Sequence, residues 1–296
     1  MRGSPVPEQR GPKAVDGGNA LYHYLQKSLQ EEDVWLFQML VAKLIVGLGI
    51  WFPPSAYAVL PVALPHVVRD PKCRGKEGLR DEWSSPDALG YVRDDNSLVK
   101  GLVKSFPVRS VRFSEYDKRK VGKGFVSAHA WRNTVGGGSA ARLAATNSFW
   151  PNLVWLPSNV AKLTDREGSF AQTFVQAIAA KVYRGVELHE RLKPFAEESW
   201  GFLPDVPEFP QQGIPEVGDL NFFEVPSEFF ARRLKAIRTA AEGLRCVEEG
   251  RPIDGKVLHT RYTLGLPKVE PTAAKKLRRH LTEYSEAVEL AIHDRG

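Results

Sequence analysis

Cysteine is nearly missing from this chain: Cys73 and Cys246 are the only two in 296 residues. They form no CxxC pair, which excludes a zinc finger or ribbon and leaves nothing to build a disulfide framework. Such sparing use fits a reducing cytoplasm, the expected location. An apolar leader is missing too. The opening MRGSPVPEQRGPKAVDGG is rich in Gly, Pro and charge, so it reads as a flexible lead rather than a signal peptide. A clean membrane span is also absent. The run Val34 to Phe52 approaches the length of one, but Gln38 and Lys43 interrupt it and Gly47 and Gly49 weaken its end. It reads instead as a buried core helix. Gly136-Gly137-Gly138 matches neither GxxxxGK[ST] nor a GxGxxG between strand and helix, so it is a flexible loop and not a phosphate cradle. No internal repeat or low-complexity tract occurs.

What the chain does have is ordinary globular composition, 43% hydrophobic and 26% charged, with a formal net charge of +6. That surplus favours an anionic partner such as nucleic acid. Helix signals outnumber strand signals, and the expected class is α+β. Four regions are expected: a flexible lead over 1–18, a helical region over 19–109, a core with its following helix over 110–192, and a loop-rich and helical region over 193–296. Asn19 is placed to cap a helix through ALYHYLQKSLQ, and Asp33 to cap the apolar helix from Val34, which Pro53-Pro54 ends. Asp94-Asp95-Asn96-Ser97 offers cap chemistry for a short helix from Leu98 to Lys104. Ser110–Phe113 and Gly124–Ala128 read as strands. Thr164-Asp165-Arg166-Glu167 reads as a capping box for a helix to Tyr183, with Phe170, Phe174, Val175, Ile178 and Val182 at helical spacing. The Pro-, Gly- and aromatic-rich stretch from Lys193 to Pro226 reads as a long loop. Helices from Ser227 to Glu249 and Thr272 to Ile292 close the chain, with a short strand pair near Lys256 to Leu264 between them.

Chemistry concentrates between Gly124 and Gly168. A strand-like run delivers His129, a glycine-rich loop follows, and Asn152 opens the apolar run Asn152-Leu153-Val154-Trp155-Leu156 before a helix-compatible segment from Ser158. Hydrolysing a phosphodiester needs a base for water and an electrophile for the charge on phosphate and leaving oxygen. A histidine is largely neutral at pH 7 and suits the first task; a Mg²⁺-like ion with oxygen ligands suits the second.

This stretch resembles the core of the ββα-metal (HNH) endonucleases, in particular the restriction-type branch that lacks zinc-binding cysteines. The resemblance covers about 45 of the 296 residues. It implies His129 as general base and Asn152 as the residue that hydrogen-bonds across the loop and holds the histidine's surroundings in shape. The chain departs from the pattern at two positions. Ala128 stands where many members place an aspartate ligand just before the histidine, and Ala161 stands where the third motif residue is expected. Asn159 and Asp165 are the nearest polar residues able to ligate a hard cation, while Lys162 is able instead to replace its charge at the phosphate. The bland alternative for Asn159 and Asp165 is a role at a helix start.

Lys123, Arg132, Arg142, Lys162 and Arg166 supply positive charge around this core and are the expected nucleic-acid contacts, with a solvated face as the alternative. Lys275-Lys276-Leu277-Arg278-Arg279-His280 lies on an expected helix, and Trp131, Trp150 and Trp155 read as packing residues. The leading expectation is a Mg²⁺-dependent endonuclease acting on double-stranded DNA, homodimeric as the resemblance implies. Two rivals remain: a DNA-binding or assembly protein with an inactive core, and a PD-(D/E)xK nuclease using Asp254 and Lys256.

Overall fold

A computed structural model describes residues 20, 24, 27–28, 30–70, 89–206, 208–209, 213–257 and 265–294. The chain divides into two compact units, Met1–Val41 and Ala42–Gly296. The expected lead over 1–18 and most of the helix through ALYHYLQKSLQ lie outside the described residues.

In chain order the elements are α1 (Glu31–Leu48), β1 (Ile50–Trp51), α2 (Pro54–Tyr57), β2 (Val67–Arg69), β3 (Val92–Asp94), α3 (Ser97–Leu102), β4 (Val108–Arg109), β5 (Phe125–His129), α4 (Ala144–Asn147), β6 (Leu153–Pro157), α5 (Ser158–Ala161), α6 (Phe170–Tyr183), α7 (Lys193–Gly201), β7 (Asn221–Phe223), α8 (Ser227–Glu248) and α9 (Pro271–His293). Short 3₁₀ turns separate several of them. The mixture of helices with a small mixed sheet agrees with the α+β expectation.

The apolar run from Val34 is not the buried core helix expected. Helix α1 begins at Glu31, and Asp33 sits in its first turn, where its carboxylate accepts from the Gln30 amide at 3.0 Å rather than acting as the N-cap. Trp35, Leu36, Phe37, Leu40 and Leu44 are exposed, whereas Val41 and Ile45 are buried. An apolar run says that burial is available, not that every side of the helix obtains it. The helix stops at Leu48, well before Pro53. At Gly49 the Cβ of any other residue would stand 2.5 Å from the Ile45 carbonyl oxygen, so only glycine lets the chain turn directly into β1. Among the described residues no helix is long and apolar enough to cross a membrane.

The main sheet runs β4-β7-β1-β6-β5. Strand β6 pairs antiparallel with β5 on one side and β1 on the other, while β1 pairs parallel with β7. Leu153 to Leu156 are all buried, which is why β6 reads as an unbroken apolar run and not an alternating one. An aromatic core packs on this sheet: Phe52 stacks on Trp150 with ring centroids 3.5 Å apart and lies within 6.2 Å of Phe106, Trp155, Phe223 and Phe229. Trp131, Trp150 and Trp155 are fully buried, as packing residues should be. Tyr284 on α9 donates to the Val62 carbonyl at 2.7 Å and accepts from its amide at 2.9 Å, tying the last helix to the sheet's surroundings.

Three further expectations shift. The strand expected at Ser110–Phe113 is Val108–Arg109 instead; Ser110 turns the chain, its hydroxyl donating to Asn221 and accepting from Phe113. The stretch from Lys193 to Pro226 is not a loop throughout, since it supplies α7 and the interior strand β7. Pro194 sits in the first turn of α7 and the other prolines lie outside both elements, and that punctuation hides them. The N-cap of α6 is Ser169, not Thr164: Ser169 Oγ accepts from the Gln172 amide, and Gln172 Oε1 reaches back one residue beyond the cap to accept from the Gly168 amide. Thr164 instead donates to the Ala161 carbonyl. Both caps fit the sequence, and Gly168 at φ 71° decides for the later one by breaking the backbone there. Of the strand pair near Lys256, residues 258–264 lie outside the described residues; Gly255 to Val257 form a turn.

Candidate active site

Strands β5 and β6 run antiparallel with His129 opposite Leu153, and β6 leads directly into α5. Asn152 stands just before β6, in a 3₁₀ turn that contains Pro151. It is fully buried, and each of its polar groups is used. Its Oδ1 accepts from the Trp131 amide at 2.7 Å, Nδ2 donates to the Thr146 carbonyl at 3.0 Å, and its own carbonyl accepts from the Ala130 amide at 3.0 Å. The two residues that follow His129 are therefore clamped from across the loop.

The loop itself is more ordered than three glycines suggest. Thr134 and Gly138 close a turn through a 2.7 Å amide-to-carbonyl bond, with Gly137 at φ 79°, and Asn133 bridges Ser139. The glycines permit a tight turn rather than confer looseness.

Asn147 is the residue that sequence reasoning missed. It ends α4, and its side-chain amide donates to the Val67 carbonyl at 3.1 Å, linking α4 to β2. Its main-chain carbonyl lies 3.1 Å from His129 Nε2. A carbonyl only accepts, so Nε2 carries the hydrogen of the neutral ring and the lone pair falls on Nδ1. His129 makes no other side-chain hydrogen bond among the described residues. Burial pushes its pKa down to about 4; the hydrogen bond to the Asn147 carbonyl opposes this, and the positive charge of Arg69 adds to it. The Asn147 side chain also raises that pKa by its proximity, although Oδ1 itself meets no donor at hydrogen-bonding geometry. The imidazole is therefore neutral at physiological pH, with its basic nitrogen free.

His129 lines a cavity of about 430 Å³. Of the other residues predicted for the site, Arg132, Lys162 and Asp165 line the same cavity. Asn159 does not; it is exposed on α5, where the turn of a short helix carries it away from the lining. Lys123, Arg142 and Arg166 are exposed and lie outside the lining as well. Arg69 at the end of β2, Lys100 on α3 and Asp95 also line the cavity, as does Asn96, and no motif marked these four. The Asp94–Ser97 cluster caps α3, as its sequence predicts: Asp94 accepts from the Leu98 amide and Asp95 from the Ser97 amide. Asn96 adds a bond from Nδ2 to Ser127 Oγ at 2.8 Å, which ties this cap to β5.

The wall thus carries four cationic side chains and two carboxylates around a neutral histidine. Lys100, Arg132 and Lys162 are exposed and make no ion pair among the described residues. Such a cavity is suited to an anion. It is less suited to the metal that the resemblance implies. Both positions where ligands are expected, Ala128 and Ala161, carry side chains with no ligand atom, and only Asp95 and Asp165 offer carboxylates on the lining. Asp254, the alternative catalytic carboxylate, lies in an exposed turn, where it accepts from the Lys256 amide at 2.8 Å; it is neither on a strand nor in this cavity.

No family model matches this chain, and neither a curated protein nor a solved structure is significantly similar to it.

Proposed function

We propose that this protein is an endonuclease that hydrolyses phosphodiester bonds in double-stranded DNA, with His129 as its general base. The observation that carries the proposal is the state of His129. Its Nε2–H is pinned on the Asn147 carbonyl, its Nδ1 is unengaged, and burial keeps it neutral inside a cavity with a surplus of positive charge. A base held in one tautomer beside an anion-attracting wall takes a proton from water next to a bound phosphate. The antiparallel β5–β6 pair followed by α5 supports a ββα-type core, and a homodimer reading a twofold site belongs to the same reading.

The test is to incubate the protein with plasmid and phage DNA beside the His129→Ala variant. Discrete fragments with the natural protein and intact DNA with the variant are expected. A smear would keep the chemistry and remove the restriction-type role, and cutting that survives the substitution would overturn His129 as the base. A second reading, a DNA-binding module with an inactive core, is favoured by the methyl groups at Ala128 and Ala161. Its signature would be a gel shift without cleavage.

A further inference from the structure

We propose that Lys162 and Arg132 neutralise the phosphate at this site, in the place a divalent cation takes in the nucleases the core resembles, so that cutting proceeds without a bound metal. This inference rests on the nuclease reading above. Four observations carry it. Ala161, at a position where a metal ligand is expected, is followed immediately by Lys162, which lines the same cavity. Ala128, at the other such position, is followed by the base itself and, three residues later, by Arg132 on that lining. Neither cation is paired with a carboxylate among the described residues, so the charge of each remains available to a ligand. Finally, Arg69 and Lys100 stand on the same wall, against Asp95, whose carboxylate already caps Ser97, and Asp165. A dication entering this cavity meets a like-charged field, whereas a phosphodiester meets an opposite one.

The step balances without a metal. Water oxygen forms a bond to phosphorus while its proton passes to His129 Nδ1. The bond from phosphorus to the leaving oxygen breaks, and that oxygen takes the electron pair and a proton from solvent. His129 returns its proton to solvent. Lys162 and Arg132 hold the non-bridging oxygens and the developing charge. Arginine does so as a planar two-point donor and lysine as a point charge.

The experiment uses the full chain and supercoiled plasmid, in excess EDTA and in Mg²⁺. Nicking or linearisation in EDTA is expected, abolished by His129→Ala. Lys162→Ala should lower the EDTA rate at saturating DNA by about 100-fold, with Lys162→Arg keeping most of it and Arg132→Ala losing a similar factor. Both side chains are exposed, so the melting temperatures of these variants should stay at the natural value. Calorimetric titration of Mg²⁺ alone into the protein should show no saturable binding. Cutting that requires Mg²⁺ yet still depends on His129 would overturn the inference and leave the nuclease reading standing. Unchanged EDTA rates in Lys162→Ala and Arg132→Ala would overturn it as well, as would saturable Mg²⁺ binding lost in Asp165→Asn. DNA intact under both conditions would overturn both readings.

Discussion

On the strand side of the cavity, Asn152 is fully buried with every polar group hydrogen-bonded, and His129 is pinned through Nε2. On the helix side, Lys162 and Asp165 are exposed, with no side-chain partner among the described residues. The helix that leads to them, α5, is a single short turn continued by a 3₁₀ turn. In the nuclease proposed above, the difference separates two tasks. A general base works only within hydrogen-bonding reach and in one tautomer, so its placement has to be overdetermined. A counter-charge acts over several ångströms and tolerates motion, so a solvated lysine at the end of a short helix suffices. The same contrast recurs in what each side costs to alter.

Replacing the proposed base should have the largest effect. His129→Ala should reduce cleavage by about 10²–10⁴-fold, measured as the initial rate of plasmid nicking, with the fold intact by circular dichroism. An activity loss accompanied by unfolding would mean that His129 is part of the architecture and not the chemistry.

The clamp comes next. Asn152→Ala leaves the Trp131 amide and the Thr146 carbonyl without partners in a dry interior, which should cost about 2–5 kcal/mol of stability, read from denaturant unfolding. Asp165→Ala on the helix side should stay within about 0.5 kcal/mol. Equal costs on the two sides would remove the contrast.

Acid sharpens it further. His129 and His66 are both held down to about 4 in the folded protein, His66 by burial and then by the charge of Arg233, against about 6.5 in an unfolded chain. Between pH 6.5 and 4 the unfolded chain binds more protons, so stability falls as pH drops through that window. The loss is on the order of 3 kcal/mol for each histidine by pH 4, seen as a falling melting temperature. His129→Gln should flatten part of that slope. Within the same window His129 stays unprotonated in the folded protein, so cleavage by the folded fraction should persist down to about pH 4.

A smaller loss than that of the Asn152 clamp is expected at a cap remote from the cavity. Ser169→Ala should cost about 1 kcal/mol through loss of the bond to the Gln172 amide, whereas Thr164→Val should not disturb the N-terminus of α6. A larger effect at Thr164 would restore the earlier capping box.

Local chemistry made much of this protein legible. The β5 and β6 strands and the two final helices all follow from runs, turns and spacings that act over a few residues. The position of His129 at a strand end was recognisable because strand, glycine turn and asparagine-led strand are consecutive in the chain. Contacts between distant segments were not legible. Asn147 looks like an ordinary residue in ATNSFW until α4 packs on β2 and turns its carbonyl to the imidazole. Arg69 and Lys100 join the site only through β2, β3 and α3, and strand β7 disappears into a proline-rich stretch until β1 and β4 pair with it. The apolar face of α1 shows the limit from the other direction: its residues specify a helix, while which of them is buried depends on what packs there. Propensity, capping and turn chemistry are properties of neighbouring residues, so sequence carries them. Burial, tautomer and the charge around a cavity are set by segments far apart in the chain, so the tertiary structure alone decides them.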